Sequence, residues 1–504
     1  MLRTQTVSAI LQRSRLSFTL TTSPSPLPAT TSSMSTTESA IRAHPPREAP
    51  EDLRQQRPQQ VSGAYFPLGY KEAAYQWWCG VTPSMAERNV LKHIPFLKEA
   101  TSSLASLSST DTADPFGTRI WRQTMVPLSG KNRALNEFSV ERVGEESDET
   151  LVMLHGYGAG LGFFYKNFEP ITRIPGLKLY ALDMLGMGNS SRPPFKIHAK
   201  DREGKVIEAE NWFIDALEEW RKARKIERFT LLGHSLGGYL AVSYALKYPG
   251  HLKKLILASP VGIPEDPYAV NSALPEPGES TMQNEFTVDQ QTTTTTKNGA
   301  AVPPKRPYPG WLVWLWDANV SPFSIVRMAG PLGPRFVSGW TSRRFNHLPA
   351  EEAQTLHDYS FSIFKQKGSG EYALGYILAP GAFARRPVIN RIQDVGRQPI
   401  KGPNGEVVGK ETGIPIVFMY GENDWMDVAG GLAAEEKLKQ VKADIMRNGT
   451  EEEKANDKGS CKVVIIPKAG HHLYLDNAEF FNNIMRKEME DVKEMEKRKR
   501  AESS

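Results

Sequence analysis

The chain has 504 residues, 39% of them hydrophobic, with 40 Gly and 36 Pro, which is enough for one large catalytic domain with insertions or for two modest domains. Its 62 basic and 57 acidic residues leave a formal charge of +5, too slight an excess to argue for a nucleic-acid partner and at least as well suited to an anionic membrane surface. Only two cysteines occur, Cys79 and Cys461, which excludes a disulfide framework and the small secreted fold that such a framework staples.

Residues 1–40 interleave Arg3, Arg13 and Arg15 with Leu2, Val7, Ile10, Leu11 and Leu16, are rich in Ser and Thr, and hold no acidic residue before Glu38. This is the composition of a mitochondrial targeting segment, and Met34 offers an alternative start without it. Residues 41–70 lack the large apolar groups needed to order themselves and read as a disordered linker. Residues 71–115 form a segment marked by Trp77 and Trp78. Over 116–263 short apolar runs alternate with Gly-rich turns and amphipathic stretches, the pattern of a mostly parallel sheet with helices on both faces. Strands are expected at 151–154, 177–182, 229–232, 255–258, 416–420 and 463–466.

The gap between the fourth and fifth of these strands is too long for a loop, so 264–390 is expected to be an inserted cap, its first part low in complexity around 292–305. The cap carries Trp311, Trp314 and Trp316, and Arg327, Arg335, Arg343 and Arg344. The Trp side chains, with Trp77 and Trp78, are candidates for contact with a bilayer surface. The arginines are candidates for lipid phosphates or for solvated surface. The sheet resumes over 391–485 after a polar interruption at 396–412, and 486–504 is a charged tail with the spacing of a solvated helix. No run of about 20 apolar residues occurs, so membrane contact is expected to be peripheral.

Gly233-His234-Ser235-Leu236-Gly237 lies between an apolar strand and a helical run, the setting of a nucleophile elbow, where small residues two before and two after the Ser allow the tight turn. A serine hydroxyl needs a base and an orienting acid downstream, in the order Ser, acid, His. Asp424, after the strand at 416–420, is the preferred acid, and Asp427 competes with it. His471, after Gly470, is the preferred base, with His472 as a neighbour that lines or packs the pocket. Backbone N–H groups of Tyr157, in His155-Gly156-Tyr157-Gly158, and of Leu236 are the expected oxyanion donors. The turn from Asp183 to Pro193 reads as structural.

The elbow, the run from Asp183 to Pro193, Asn319-Val-Ser-Pro-Phe323 with Ala329-Gly-Pro331, Gly370-Glu371, and His471-His-Leu-Tyr-Leu-Asp476 together resemble a lipid-metabolic branch of the eukaryotic α/β-hydrolases over roughly residues 70–485. That branch includes N-acyl-phosphatidylethanolamine lipases, the lipid-droplet lipase co-activator and fungal mitochondrial cardiolipin-specific deacylases, and with its targeting segment the chain looks most like the last. The resemblance implies an α/β-hydrolase fold with a large inserted cap. It implies a serine deacylase that converts cardiolipin to monolysocardiolipin at the inner mitochondrial membrane without metal or organic cofactor. His471 and Asp476 also match the H-x4-D spacing associated in that branch with acyl transfer from acyl-CoA to lysophosphatidic acid, and a non-catalytic lipase regulator is the remaining alternative.

Overall fold

The computed structural model describes residues 67–100, 114–267, 314–316 and 318–503. The targeting segment, nearly all of the linker, the low-complexity stretch and Trp311 lie outside the described residues.

Nine strands form one sheet: β1 (Lys98–Glu99), β2 (Arg119–Pro127), β3 (Ala134–Arg142), β4 (Glu149–Leu154), β5 (Leu177–Leu182), β6 (Phe229–His234), β7 (Leu252–Ala258), β8 (Pro415–Gly421) and β9 (Ser460–Ile466). Their order is β1-β2-β3-β5-β4-β6-β7-β8-β9. From β5 to β9 every pairing is parallel, while β3 runs antiparallel to both β2 and β5. All six expected strands are present, most of them longer than the apolar run that marks them. β4, β6, β7 and β8 are almost wholly buried because helices cover both faces, which is why they read as continuous apolar runs.

The helices are α1 (Tyr70–Cys79), α2 (Pro83–Leu91), α3 (Tyr165–Ile171), α4 (Arg202–Ala223), α5 (Leu236–Lys247), α6 (Pro322–Met328), α7 (Gly333–Arg344), α8 (Ala350–Phe364), α9 (Leu374–Ile377), α10 (Val428–Asn448), α11 (Glu451–Asn456), α12 (Leu473–Asp476) and α13 (Ala478–Ser503). One face of the sheet buries Phe213, Leu217 and Trp220 of α4 with Tyr239 and Leu240 of α5. The other buries Phe168 of α3 with Phe481, Met485 and Met489 of α13. Between β7 and β8 the described residues form α6 to α9, and α8 packs on both α2 and α7.

Two expectations change. The polar interruption at 396–412 contains a small hairpin, Pro399–Lys401 with Val407–Lys410. The tail is not a fully solvated helix: α13 runs through it, and its Met489 and Val492 are buried.

The parallel arrangement brings the carboxyl ends of β4, β6, β7, β8 and β9 to one edge of the sheet, so the segments after Leu154, His234, Ala258, Gly421 and Ile466 converge.

Candidate active site

Ser235 occupies the turn from β6 into α5 with φ 52° and ψ −116°, a conformation an L-residue adopts only when its surroundings enforce it. The surroundings are backbone. A Cβ on Gly233 would come within 2.3 Å of the Gly237 carbonyl oxygen, and one on Gly237 within 2.6 Å of the His155 carbonyl oxygen. The Ser235 N–H donates to the Ala258 carbonyl (3.0 Å), and its own carbonyl accepts from Gly238 and Tyr239 as α5 begins. Leu236 is the first helical residue, so its N–H has no acceptor within the helix and stands at the positive end of the helix dipole.

His471 follows β9 and Asp424 follows β8, and the two meet. His471 Nδ1 lies 3.3 Å from Asp424 Oδ1, with both side chains shut off from solvent. Burial pushes the Asp424 carboxyl up, but hydrogen bonds from His471, Ser259 and the Met426 N–H outweigh it and hold the group below the usual carboxylate range. Asp427 takes no part: it is exposed and caps α10, accepting from the Ala429 N–H at 2.9 Å. Its place as alternative acid is therefore corrected, because its carboxylate is committed to a helix start. Asp476 is similarly committed, accepting the Gly470 N–H at 2.9 Å, and so it braces the turn that presents His471.

The strand-end loop from β4 is organised by His155. Its Nε2 accepts the Met184 N–H (3.1 Å), which leaves Nδ1–H to donate to the Gly156 carbonyl (2.7 Å). Burial pushes this imidazole down and keeps it neutral. In a trans peptide the C=O and the following N–H point in opposite directions, so this bond turns the Tyr157 N–H away from His155. The loop presses on the elbow: a Cβ on Gly156 would lie 3.0 Å from Ser235 Cβ.

Two further residues escaped sequence reasoning. His234, inside the elbow motif, bonds through Nε2 to the His471 carbonyl (2.9 Å), tying the Ser235 turn to the histidine loop. Ser259, directly after β7, contacts both Asp424 and His471. No motif marks it; its position at the end of a strand neighbouring β6 and β8 was the available signal.

The helices between β7 and β8 cover the loop that follows β4. Phe323 of α6 stacks on Tyr157 (centroids 5.1 Å apart) and on Phe364 of α8 (4.5 Å), and Ser235 is only 8% exposed. Arg327 of α6 forms a two-pronged bond with Glu371. Arg335 stacks on Tyr70, and Arg344 donates to His472, so these arginines tie elements together inside the molecule. Among the tryptophans, Trp77, Trp78 and Trp314 are exposed. Trp316 is buried, its Nε1–H donating to the Leu378 carbonyl (3.1 Å), which corrects its reading as a membrane contact.

Residues 149–478 match the family model of the alpha/beta hydrolase fold. The chain is 33% identical over 361 residues to a 1-acylglycerol-3-phosphate O-acyltransferase of Arabidopsis thaliana, covering 70% of this chain and 69% of the relative. It is 30% identical over 367 residues to the 1-acylglycerol-3-phosphate O-acyltransferase ABHD5 of Mus musculus, covering 72% and 82%. It is also 30% identical over 347 residues to the (lyso)-N-acylphosphatidylethanolamine lipase of Homo sapiens, covering 68% and 79%.

Proposed function

The chain belongs to the alpha/beta hydrolase fold family, and from this we propose that it is a serine lipid hydrolase that removes an acyl chain from a membrane phospholipid. Our preferred substrate is cardiolipin, with monolysocardiolipin as product. The observation that carries the reading is the buried hydrogen-bonded pair of His471 and Asp424 at the strand ends beside the strained Ser235 turn.

In the mechanism, Ser235 Oγ attacks the ester carbonyl carbon while its proton passes to His471 Nε2. The new oxyanion accepts the N–H groups of Tyr157 and Leu236. Ionised Asp424, on the Nδ1 side of the ring, stabilises the imidazolium that forms. Collapse of the intermediate breaks the ester C–O bond, and the lysolipid oxygen leaves with the proton from His471. His471 then takes a proton from water as the water oxygen attacks the acyl carbon; collapse breaks the bond from that carbon to Ser235 Oγ, His471 returns the proton to Oγ, and the fatty acid is freed.

The acid-free, Arg-containing composition of residues 1–37 supports a mitochondrial site of action, where cardiolipin would be the substrate at hand. Peripheral contact with the inner membrane is supported by the exposed Trp78, Met328 and Phe336, because α1 and α6 both pack against α7 and so group this apolar surface, and Trp314 is exposed as well.

Acyl transfer from acyl-CoA to lysophosphatidic acid is a second reading, favoured by the names of two of the relatives. Lipid mass spectrometry separates the readings, using liposomes of cardiolipin, phosphatidylethanolamine and lysophosphatidic acid with acyl-CoA present. Monolysocardiolipin and free fatty acid that disappear in Ser235→Ala, with turnover down roughly a million-fold, are the expected result. Phosphatidic acid in their place would establish acyl transfer, and a lipid-dependent function that survives Ser235→Ala would make the protein a regulator.

A further inference from the structure

Ser259 is fully buried and holds φ at 46°, in the left-handed region that residues other than Gly, Asn and Asp seldom enter. Its N–H donates to the Met419 carbonyl of β8 at 2.6 Å, which fixes the backbone in that conformation. The result is a hydroxyl aimed into the acid–base pair: Oγ lies 2.5 Å from Asp424 Oδ2 and 2.6 Å from His471 Nδ1, whereas the direct Nδ1 to Oδ1 separation is 3.3 Å. Asp424 Oδ1 is also engaged by the Met426 N–H at 3.0 Å. The shorter route from acid to base therefore runs through the serine.

We infer that Ser259 is a positioning residue that links Asp424 to His471, so that the charge-stabilising half of the site has three members. The hydroxyl has a single proton. Pointed at the Asp424 carboxylate, that proton leaves the Oγ lone pairs to accept Nδ1–H, which sets His471 in the tautomer whose Nε2 lone pair is the base. When Nε2 takes the Ser235 proton, Nδ1–H stays on nitrogen and the Ser259 proton stays on oxygen. Both hydrogen bonds strengthen as the ring becomes positive, and no proton leaves Ser259. A serine that merely filled space beside Asp424 would not need the strained backbone or the short approach to the imidazole.

The inference rests on His471 as base and Ser235 as nucleophile, and the experiment keeps the two apart. The full-length protein is compared with Ser259→Ala, Ser259→Gly, Asp424→Asn and the pair Ser259→Ala/Asp424→Asn on a soluble ester, with Ser235→Ala as control. Glycine adopts the positive φ without strain, so it tests loss of the hydroxyl even if alanine disturbs the fold. Both single variants at 259 are expected to lower kcat about 10- to 100-fold at nearly constant KM, the worth of one hydrogen bond to a charged group. The pair is expected to lose far less than the product of its single losses, because the residues act as a unit. The low-field Nδ1–H proton resonance of His471 should move upfield or vanish in both. Wild-type kcat and an unmoved resonance in Ser259→Gly, or multiplicative losses in the pair, overturn the inference. Full turnover in Ser235→Ala overturns the catalytic reading instead, and the resonance then still decides whether Ser259 holds the imidazole.

Discussion

Asp424 and Asp427 stand three residues apart in one loop, yet one carboxylate points into the buried edge of the sheet and the other folds back onto the helix that follows. Asp424 is held below its ordinary pKa by His471 and Ser259, so its stabilising bonds are fully present above the carboxylate range and are lost as pH falls through the depressed value. Asp424→Asn removes the charge that supports the imidazolium and is expected to lower kcat about 10⁴-fold. Asp427→Asn is expected to leave kcat at the wild-type value, since Asn is also a good helix cap; Asp427→Ala should cost about 1 kcal/mol of stability with activity per folded molecule unchanged. Steady-state kinetics beside chemical denaturation checks both, and a large kcat loss in Asp427→Asn would reverse the assignment. At this scale the sequence left two acids open, because helix capping and catalysis both favour Asp directly after a strand.

The elements between β7 and β8 show how burial divides residues of one type. Trp316 packs into the core and donates to Leu378, while Trp78 on α1 is 80% exposed. Trp316→Ala is expected to destabilise the protein by about 3–5 kcal/mol, as for other large side chains removed from a core. Trp78→Ala should leave the denaturation midpoint in place and weaken co-sedimentation with anionic vesicles. Equal vesicle binding by Trp78→Ala and wild type would remove α1 from the membrane face. The tail divides in the same way. Its dense charge pattern reads as a solvated helix, but Met485, Met489 and Val492 recur at spacings of four and three and lay one side of α13 against the sheet. β2 and β3 were missed because polar residues interrupt their apolar runs: β2 carries Arg122, Gln123 and Thr124 on its exposed stretch, and β3 carries Asn136, Glu137 and Ser139 at buried positions.

One buried polar network joins α2, α8 and the sheet. Glu87 of α2 accepts Tyr359 OH of α8 (2.6 Å), Asn136 Nδ2 of β3 (2.8 Å) and Gln123 of β2. Asn136 also donates to Asp183 Oδ2 (2.8 Å), whose other oxygen accepts the Leu161 N–H (2.7 Å) in the segment after β4. Burial and the neighbouring Asp183 push the Glu87 carboxyl up to about 8 from 4.5. A carboxyl raised by folding favours the folded state fully below its unfolded pKa, and that contribution is lost as pH rises from about 4.5 through about 8. Glu87→Gln removes the ionisation, so its melting temperature relative to wild type is expected to be higher at pH 9 than at pH 5. Parallel melting curves over that range would show that Glu87 titrates as it does in the unfolded chain.

The sequence alone was sufficient for what local pattern controls: the six buried parallel strands, because covering both faces demands unbroken apolar runs; and the Ser235 turn, because its backbone packing admits only glycine at positions 233 and 237. Tertiary structure decided what depends on distance between segments far apart in the chain. It joined His471 to Asp424 across 47 residues and to Ser259 across 212, turned Asp427 and Asp476 to local bonds, and buried Trp316 while leaving Trp78 in solvent. The physical reason is that a hydroxyl or carboxylate has the same chemistry at every position in the sequence; only the convergence of strand ends determines which partner reaches it first.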